Sequence, residues 1–349
     1  MLDDLKYIHQ IDKADALDIA LKEPEQLHYV FDTKLSYKGV KNIVYTGMGG
    51  SALAAALGYS WPGFKVPFEI IRNYVLPAYV NQDTLLIVSS ASGNTEETIS
   101  ALDQGESRGA KVVIMTGGGK LAEVAQTKGY PLFTLPSARQ PRYGVFYNLK
   151  ALTSTLEQLG LAVDEDVEKL NRAAEFLKRC AKYWEAVVPN NKNLAKQIAL
   201  DCLGKSVVIY GGPLLAPAAY KWKISFNENA KQIAWMDSYP EFNHNEFIGW
   251  SSQPVDKPYA VIDLRSTYEH PRVQKRFGLT AQLLSGRRPE PIVVNAEGEN
   301  LLEHLLYSVL LGDFVSIYAA IAAGTNPEPV DLVEKFKVMM VGNDQSSAA

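Results

Sequence analysis

The chain has 349 residues, 47% of them apolar and 21% charged, and a net charge of −4. That length accommodates two domains with separate cores, and the acidic balance argues against a nucleic-acid-binding surface, which carries a basic excess. No apolar run reads as long enough to span a bilayer, and Met1-Leu2-Asp3-Asp4 lacks the basic and apolar parts of a leader. The two cysteines, Cys180 and Cys202, fall in helical patterns with no CxxC or neighbouring His, as expected of two buried thiols in a cytoplasmic protein.

In chain order, residues 1–37 predict a helical arm. Leu2, Leu5 and Ile8, then Ala16, Leu17, Ile19 and Ala20, recur near helical spacing, and Glu23-Pro24-Glu25 restarts a second helix. Such an arm covers a sheet or packs on a partner. From Lys41 the pattern alternates, with strands at 42–46, 67–71, 85–89, 111–116 and 131–135 and helices at 52–57, 95–104 and from Leu121. This alternation predicts a parallel sheet covered on both faces, with ligands at the carboxyl ends of its strands. Residues 144–202 read as mostly helical, and Pro189-Asn190-Asn191 marks a break between halves.

The pattern then returns. Residues 205–212 mirror 41–50, residues 259–264 mirror 85–89, and 292–295 form a further strand, as in a duplicated α/β domain. Residues 300–323 read as a long buried helix. Asn326-Pro327-Glu328-Pro329 opens a last helix over 330–340, and 342–349 is a polar, frayed tail.

The most informative stretch is Ser89-Ser90-Ala91-Ser92-Gly93-Asn94-Thr95-Glu96-Glu97-Thr98. An apolar strand empties there into hydroxyls and one glycine, and a helix follows. Unpaired N–H groups and the dipole at a helix N-terminus favour an anion, Ser and Thr add donors, and Gly93 lets the backbone approach the oxygens. The plainer reading of any single residue is a helix cap. Three hydroxyls and a glycine together point to a phosphate. In the second copy Arg265-Ser266-Thr267-Tyr268 stands in the loop's place, so one phosphate-type loop per chain is expected.

Upstream, Gly47, Gly49 and Ala52 satisfy a loose dinucleotide pattern, with Glu69 near the distance of a ribose-binding acid. Ile70 and Ile71 follow Glu69, however, which places it inside a strand rather than at its end. The two loops fit better as walls of one small phosphorylated ligand. Gly49, Gly50 and Ser51 approach it with backbone, while Ser90, Ser92 and Thr95 bind the phosphate.

Ser-x-Ser-Gly-Asn-Thr-Glu-Glu-Thr after a strand, with Gly-Met-Gly-Gly-Ser upstream, resembles the SIS (sugar isomerase) domain. Lys221-Trp222-Lys223, Asn227-Glu228-Asn229-Ala230-Lys231, Pro240-Glu241-Phe242-Asn243-His244-Asn245-Glu246, and Gly324-Thr325-Asn326-Pro327 through Phe336-Lys337 narrow the resemblance. They resemble the bifunctional phosphoglucose/phosphomannose isomerase family, and the likeness runs from about 38 to 340. It implies two tandem SIS-type α/β domains, each a parallel sheet flanked by helices in a flavodoxin-like three-layer sandwich. The expected division is an N-terminal helical arm at 1–37, a first SIS domain at 38–150, a helical connection at 151–194, a second SIS domain at 195–325, and a C-terminal helix and tail at 326–349.

The implied reaction interconverts aldose and ketose phosphates, with hexose 6-phosphates as substrates. A proton beside a carbonyl is removed and returned to the neighbouring carbon through a cis-enediol, which one carboxylate can perform without metal or cofactor. Glu228 is the implied base, with Ile224, Phe226, Ala230, Ile233 and Trp235 read as an apolar surround that buries it. His244 is implied as the ring-opening group, reaching the active site of the other subunit of a homodimer, and Lys337 as its assistant. Arg142, in Gln140-Pro141-Arg142, matches the family's Pro-Arg position and would stabilise the enediolate; Arg139 reads as a surface charge.

Two departures bear on substrate preference. Ala91 replaces the family's usual aromatic, and Ala54-Ala55-Ala56 runs where glycines and an acid are common. The alternatives are an SIS-type isomerase of another sugar phosphate, or a non-catalytic sugar-phosphate sensor. A sensor needs an output module, which the chain does not display. A glutamine-dependent synthase would need an N-terminal cysteine.

Overall fold

A computed structural model of the chain describes residues 1–164, 166–252 and 258–344. Apolar runs without polar alternation make strands buried on both faces, and the central strands here are of that kind. The arm supplies α1 (Leu5–Ile11), α2 (Ala16–Lys22) and a 3-10 segment, Glu23–His28. Then β1 (Asn42–Thr46), α3 (Gly49–Ser60), β2 (Phe68–Ile71), β3 (Thr84–Ser90), α4 (Glu96–Ser107), β4 (Lys111–Thr116), α5 (Gly119–Lys128) and β5 (Leu132–Thr134) alternate.

The five strands form one parallel sheet in the order β2-β1-β3-β4-β5, with Tyr45 opposite Ile87 and Ile87 opposite Val113. One face packs Ile43, Tyr45, Ile87 and Met115 against Ala55 of α3 and Leu152 and Leu156 of α6 (Val145–Gln158). The other packs Val44, Val88 and Ile114 against Leu102 of α4 and Leu121 and Ala125 of α5. This is the flavodoxin-like order, whose reversal point lies at β1 and β3, and both loops singled out in the sequence emerge there.

After α7 (Glu168–Ala181) and α8 (Leu194–Cys202), the second half repeats the plan with β6 (Ser206–Gly211), α9 (Ala216–Ser225), β7 (Ala234–Ser238), α10 (Glu246–Gly249), β8 (Tyr259–Arg265), α11 (Pro271–Leu284) and β9 (Ile292–Asn295). Its four strands are parallel in the order β7-β6-β8-β9. The helix α12 (Leu301–Ala322) follows, and α13 (Asp331–Asp344) comes last. Cys180 and Cys202 are both free and buried, as expected.

Several expectations need correction. The strand β7 is absent from the sequence reading, which places Ile233 and Trp235 in the surround of Glu228. Both are exposed, and Trp235 stands on an edge strand at 51% exposure. The statement that no apolar run could span a bilayer fails for α12, which is long and apolar enough by composition. Its residues are buried, because α12 is the centre of the core that joins the arm, α7, α8 and α9. The arm's helices pack on other helices rather than on a sheet, and only the extended stretch beyond them, through Phe31, Leu35 and Tyr37, lies against the first sheet's core. Glu23-Pro24-Glu25 opens a 3-10 segment instead of an α-helix. Of the tail expected to fray from Gly342, Gly342–Asp344 continue α13, and 345–349 lie outside the described residues.

The arm also drives a carboxyl into the core. Glu23 lies with Asp313 of α12 and Lys221 of α9, all essentially excluded from solvent. Lys221 donates to Asp313 Oδ1 and to Ser225 Oγ at 2.9 Å, and Ser225 Oγ donates to Asp313 Oδ1 at 2.8 Å. Glu23 Oε1 and Asp313 Oδ2 are left without a partner among the described residues. Burial, and then the charge of Asp313, hold the Glu23 carboxyl well above the usual carboxylate range, against the opposing pull of Lys221 and Arg142. The proton so held on Glu23 gives that carboxyl a hydrogen bond to Asp313.

Because the raised value belongs to the folded state, the stability Glu23 confers is complete below the ordinary Glu pKa and is lost as pH rises through the folded value. Glu23→Gln, which carries a permanent donor, is therefore expected to flatten this decline. Urea midpoints of the two proteins measured from pH 5 to 9 check it; parallel curves would show that Glu23 is ionised in the fold.

Candidate active site

At the first sheet's carboxyl edge, α3 and α4 begin side by side, and neither N-terminus is capped by a side chain. Ser51 Oγ of α3 accepts from Ala91 N at 3.3 Å and ties the two loops together. Within the serine loop, Ser90 Oγ lies 2.8 Å from Thr95 Oγ1 and 3.4 Å from Ser92 Oγ, and it accepts from Gly93 N at 3.1 Å. Gly93 is required here, since it sits at φ 71° and a Cβ would overlap the Gly118 carbonyl oxygen. Asn94 Oδ1 accepts from Lys120 N and Gly93 O from Leu121 N, so the start of α5 locks the loop from behind. Gly49, Gly50, Ser51, Ser90, Ser92 and Thr95 thus come together as the sequence predicts, around two helix N-termini suited to an anion.

The second sheet's corresponding edge differs. Glu269, buried, accepts from Leu214 N at 2.9 Å and Leu215 N at 3.3 Å, just ahead of α9. A Cβ on Gly212 would strike its carboxyl. The chain's own carboxylate fills the anion position there, in keeping with the expectation of one phosphate-type loop.

Gly50 carries the first site toward the second half. A Cβ on it would lie 2.8 Å from Pro141 O, so α3 rests directly on the Pro141–Tyr143 turn. Arg142, in that turn, is 1% exposed. Its Nε donates to Asn229 Oδ1 at 2.6 Å, Nη1 to Glu228 Oε2 at 3.0 Å, and Nη2 to the carbonyls of Pro327 at 3.1 Å and Glu328 at 2.9 Å.

Glu228 lies where α9 widens into a π turn, Phe226–Ala230, which Lys231 ends in the left-handed region at φ 52°. Such turns break helical register and re-aim side chains. The Glu228 side chain keeps 34% exposure, so it is not the enclosed acid expected from its apolar neighbours. It is a carboxylate open on one side and held by a buried guanidinium on the other. Lys231 donates to Asn326 O and Pro327 O, each at 2.9 Å, and burial, then the Arg142 charge, push its ammonium down to about 8.

His244 and Lys337 are not brought to Glu228 within the chain. His244 is exposed on the 3-10 turn Glu241–His244 and makes no hydrogen bond with the described residues. Lys337 is exposed on α13 and pairs with Glu334 at 2.8 Å. Arg139 is largely solvent-facing at the surface, as expected. Glu69 lies inside β2 and accepts from Tyr79 Oη, which removes it as a ribose-binding acid. Asn229, Tyr143, Lys231 and the carbonyls of 326–328 are not singled out by the sequence. For Asn229, Lys231, Asn326 and Pro327 the available signal is their place in the Asn227–Lys231 and Asn326–Pro327 blocks, and for Tyr143 its position next to Pro141-Arg142.

Comparison with known proteins places this architecture. A family model for the bacterial phospho-glucose isomerase C-terminal SIS domain matches residues 191–340. The chain is 33% identical over 326 residues to a bifunctional phosphoglucose/phosphomannose isomerase of Caldicellulosiruptor bescii, covering 90% of this chain and 95% of that one. It is 34% identical over 300 residues to a protein of the same description from Aquifex aeolicus, covering 85% and 89%. The chain belongs to the bifunctional phosphoglucose/phosphomannose isomerase family. Among solved structures, a glucose-6-phosphate isomerase like protein from Thermus thermophilus shares the fold, with a TM-score of 0.66 at 18% identity over 96% of this chain and 98% of that one. The range matched by the family model contains Glu228 and begins beyond the serine loop and Arg142.

Gly93→Ala tests the loop. The forced left-handed backbone and the clash with Gly118 are expected to cost about 1–3 kcal/mol of stability. They should also abolish the thermal protection that inorganic phosphate gives the native chain; undiminished protection in a folded variant would place the anion elsewhere.

Proposed function

We propose that the chain interconverts glucose 6-phosphate and fructose 6-phosphate, and also mannose 6-phosphate and fructose 6-phosphate, with Glu228 as the base. The observation that carries this reading is the Arg142–Glu228 pair, 3.0 Å apart, joined to the serine loop through the first turn of α3, where Gly50 rests on Pro141 and Ser51 accepts from Ala91 N. A hexose 6-phosphate has its phosphate and its reacting carbonyl at opposite ends, and this arrangement offers a holder for each. Phosphate binds at Ser90, Ser92 and Thr95 and at the N–H groups of Gly49 and Gly50, beside Ser51, whose own N–H donates to Met48 O at 3.0 Å. Glu228 takes the proton from the carbon beside the carbonyl and returns it to the neighbouring carbon, so no electrons leave the substrate. Arg142 offers its charge to the oxygen that becomes an enediolate.

Ring opening falls to His244 and Lys337, which calls for a second copy of the chain. Supporting a homodimer, α13 carries Leu332, Phe336 and Met339 at helical spacing, 81%, 64% and 67% exposed. An apolar stripe of this kind marks an association surface.

A coupled assay on purified protein is expected to show turnover of fructose 6-phosphate to both aldoses; no turnover in either direction would sink the proposal and favour a sensor. Glu228→Gln should lower kcat by about 10³-fold or more while fructose 6-phosphate still binds. Substantial residual turnover in that variant would move the base to another residue. Analytical ultracentrifugation should report a dimer, and Phe336→Asp should shift it to monomer.

A further inference from the structure

Arginine has five N–H donors in one rigid plane, and four of those of Arg142 have protein acceptors: Asn229 for Nε, Glu228 for one on Nη1, and two backbone carbonyls for Nη2. Among the described residues one N–H has no acceptor, on Nη1, beside the Glu228 carboxylate. We propose that Asn229 is a positioning residue that sets the rotation of the Arg142 guanidinium and so aims this uncommitted N–H at the oxygen gaining charge next to Glu228. This inference rests on the isomerase reading above.

Asn229 is suited to the task because it has no freedom of its own. It is fully buried, and its Oδ1 accepts from two donors, Arg142 Nε at 2.6 Å and Tyr143 Oη at 2.9 Å. Its Nδ2 donates to Ser316 Oγ at 2.9 Å, and the Ser316 proton is in turn committed to Asp313 O at 3.0 Å. A flipped amide would face two donors with a donor, so the orientation is unique. The chain of bonds ends on α12, the most deeply buried helix, and Tyr143 is held from the other side by Gln26 of the arm, which donates to Tyr143 O at 2.6 Å. Losing the Asn229 oxygen leaves a buried Nε–H unpaired, and the guanidinium plane then turns toward another acceptor.

Asn229 does not touch the phosphate loop, so its loss should fall on kcat rather than KM. The test is a double-mutant cycle of Asn229→Ala and Arg142→Lys, with thermal unfolding recorded for each folded variant. Asn229→Ala alone is expected to lower kcat about 10²-fold, the scale of a misaimed donor, with KM changed less than about threefold. In the Arg142→Lys background, where there is no plane to orient, it should cost less than about threefold more. Multiplying losses would overturn the proposal. A second readout is independent of turnover. The 15N–1H signal of Arg142 Nε, assigned by its disappearance in Arg142→Lys, should be slow-exchanging in the native chain, lost in Asn229→Ala and kept in Asn229→Asp, which retains the acceptor. A signal that survives Asn229→Ala also overturns it. If the native chain turns over no hexose phosphate, the isomerase reading fails and the spectrum alone decides the role of Asn229.

Discussion

The site depends on a buried guanidinium with four of its five donors held by protein acceptors. Removing an arginine from water is costly unless its donors find acceptors, and Arg142 finds them on two separate stretches: the π turn of the second half, through Asn229 and Glu228, and the link from α12 to α13. Those acceptors can be supplied together only when the two sheets are docked through α3, α9 and α12. The ion pair is therefore a register mark of the assembly. It explains why the Pro141–Tyr143 turn lies so close to α3 that Gly50 admits no side chain.

The fold was legible to the extent that its elements carry their own signals. The parallel strands are uninterrupted apolar runs, and α12 is apolar all round, so each announces itself locally. The strand β7 does not, because an edge strand buries one side only, and the residues Ile233 and Trp235 that looked like an enclosure face solvent. Glu228 and Arg142 could be paired in advance through family motifs. What the motifs concealed is that Glu228 stays partly open and that the Asn229 beside it is the buried member. A π turn shifts which neighbours face inward, and ordinary helical spacing misassigns them.

His244 and Lys337 mark a different limit. Their surroundings in a single chain are solvent and, for Lys337, a neighbour on its own helix. Residue spacing cannot state which copy of a chain a side chain will serve. By contrast the serine loop was readable almost residue by residue, because its hydroxyls, its glycine and the helix start are contiguous. Its rigidity was not readable, since that comes from the start of α5 and from Gly118 just ahead of it, which leaves no room for any residue but glycine at 93.

Glu269 gives the duplication a history. By laying its carboxylate against Leu214 N and Leu215 N, the second half satisfies internally the anion demand that the first half leaves open to a ligand. A copied domain whose pocket is occupied by its own side chain is released from selection to bind. Its surface and its helix ends can then be recruited for other work. In this chain the copy whose anion position is filled by Glu269 also carries the π turn bearing Glu228 and Asn229, so the two halves hold different parts.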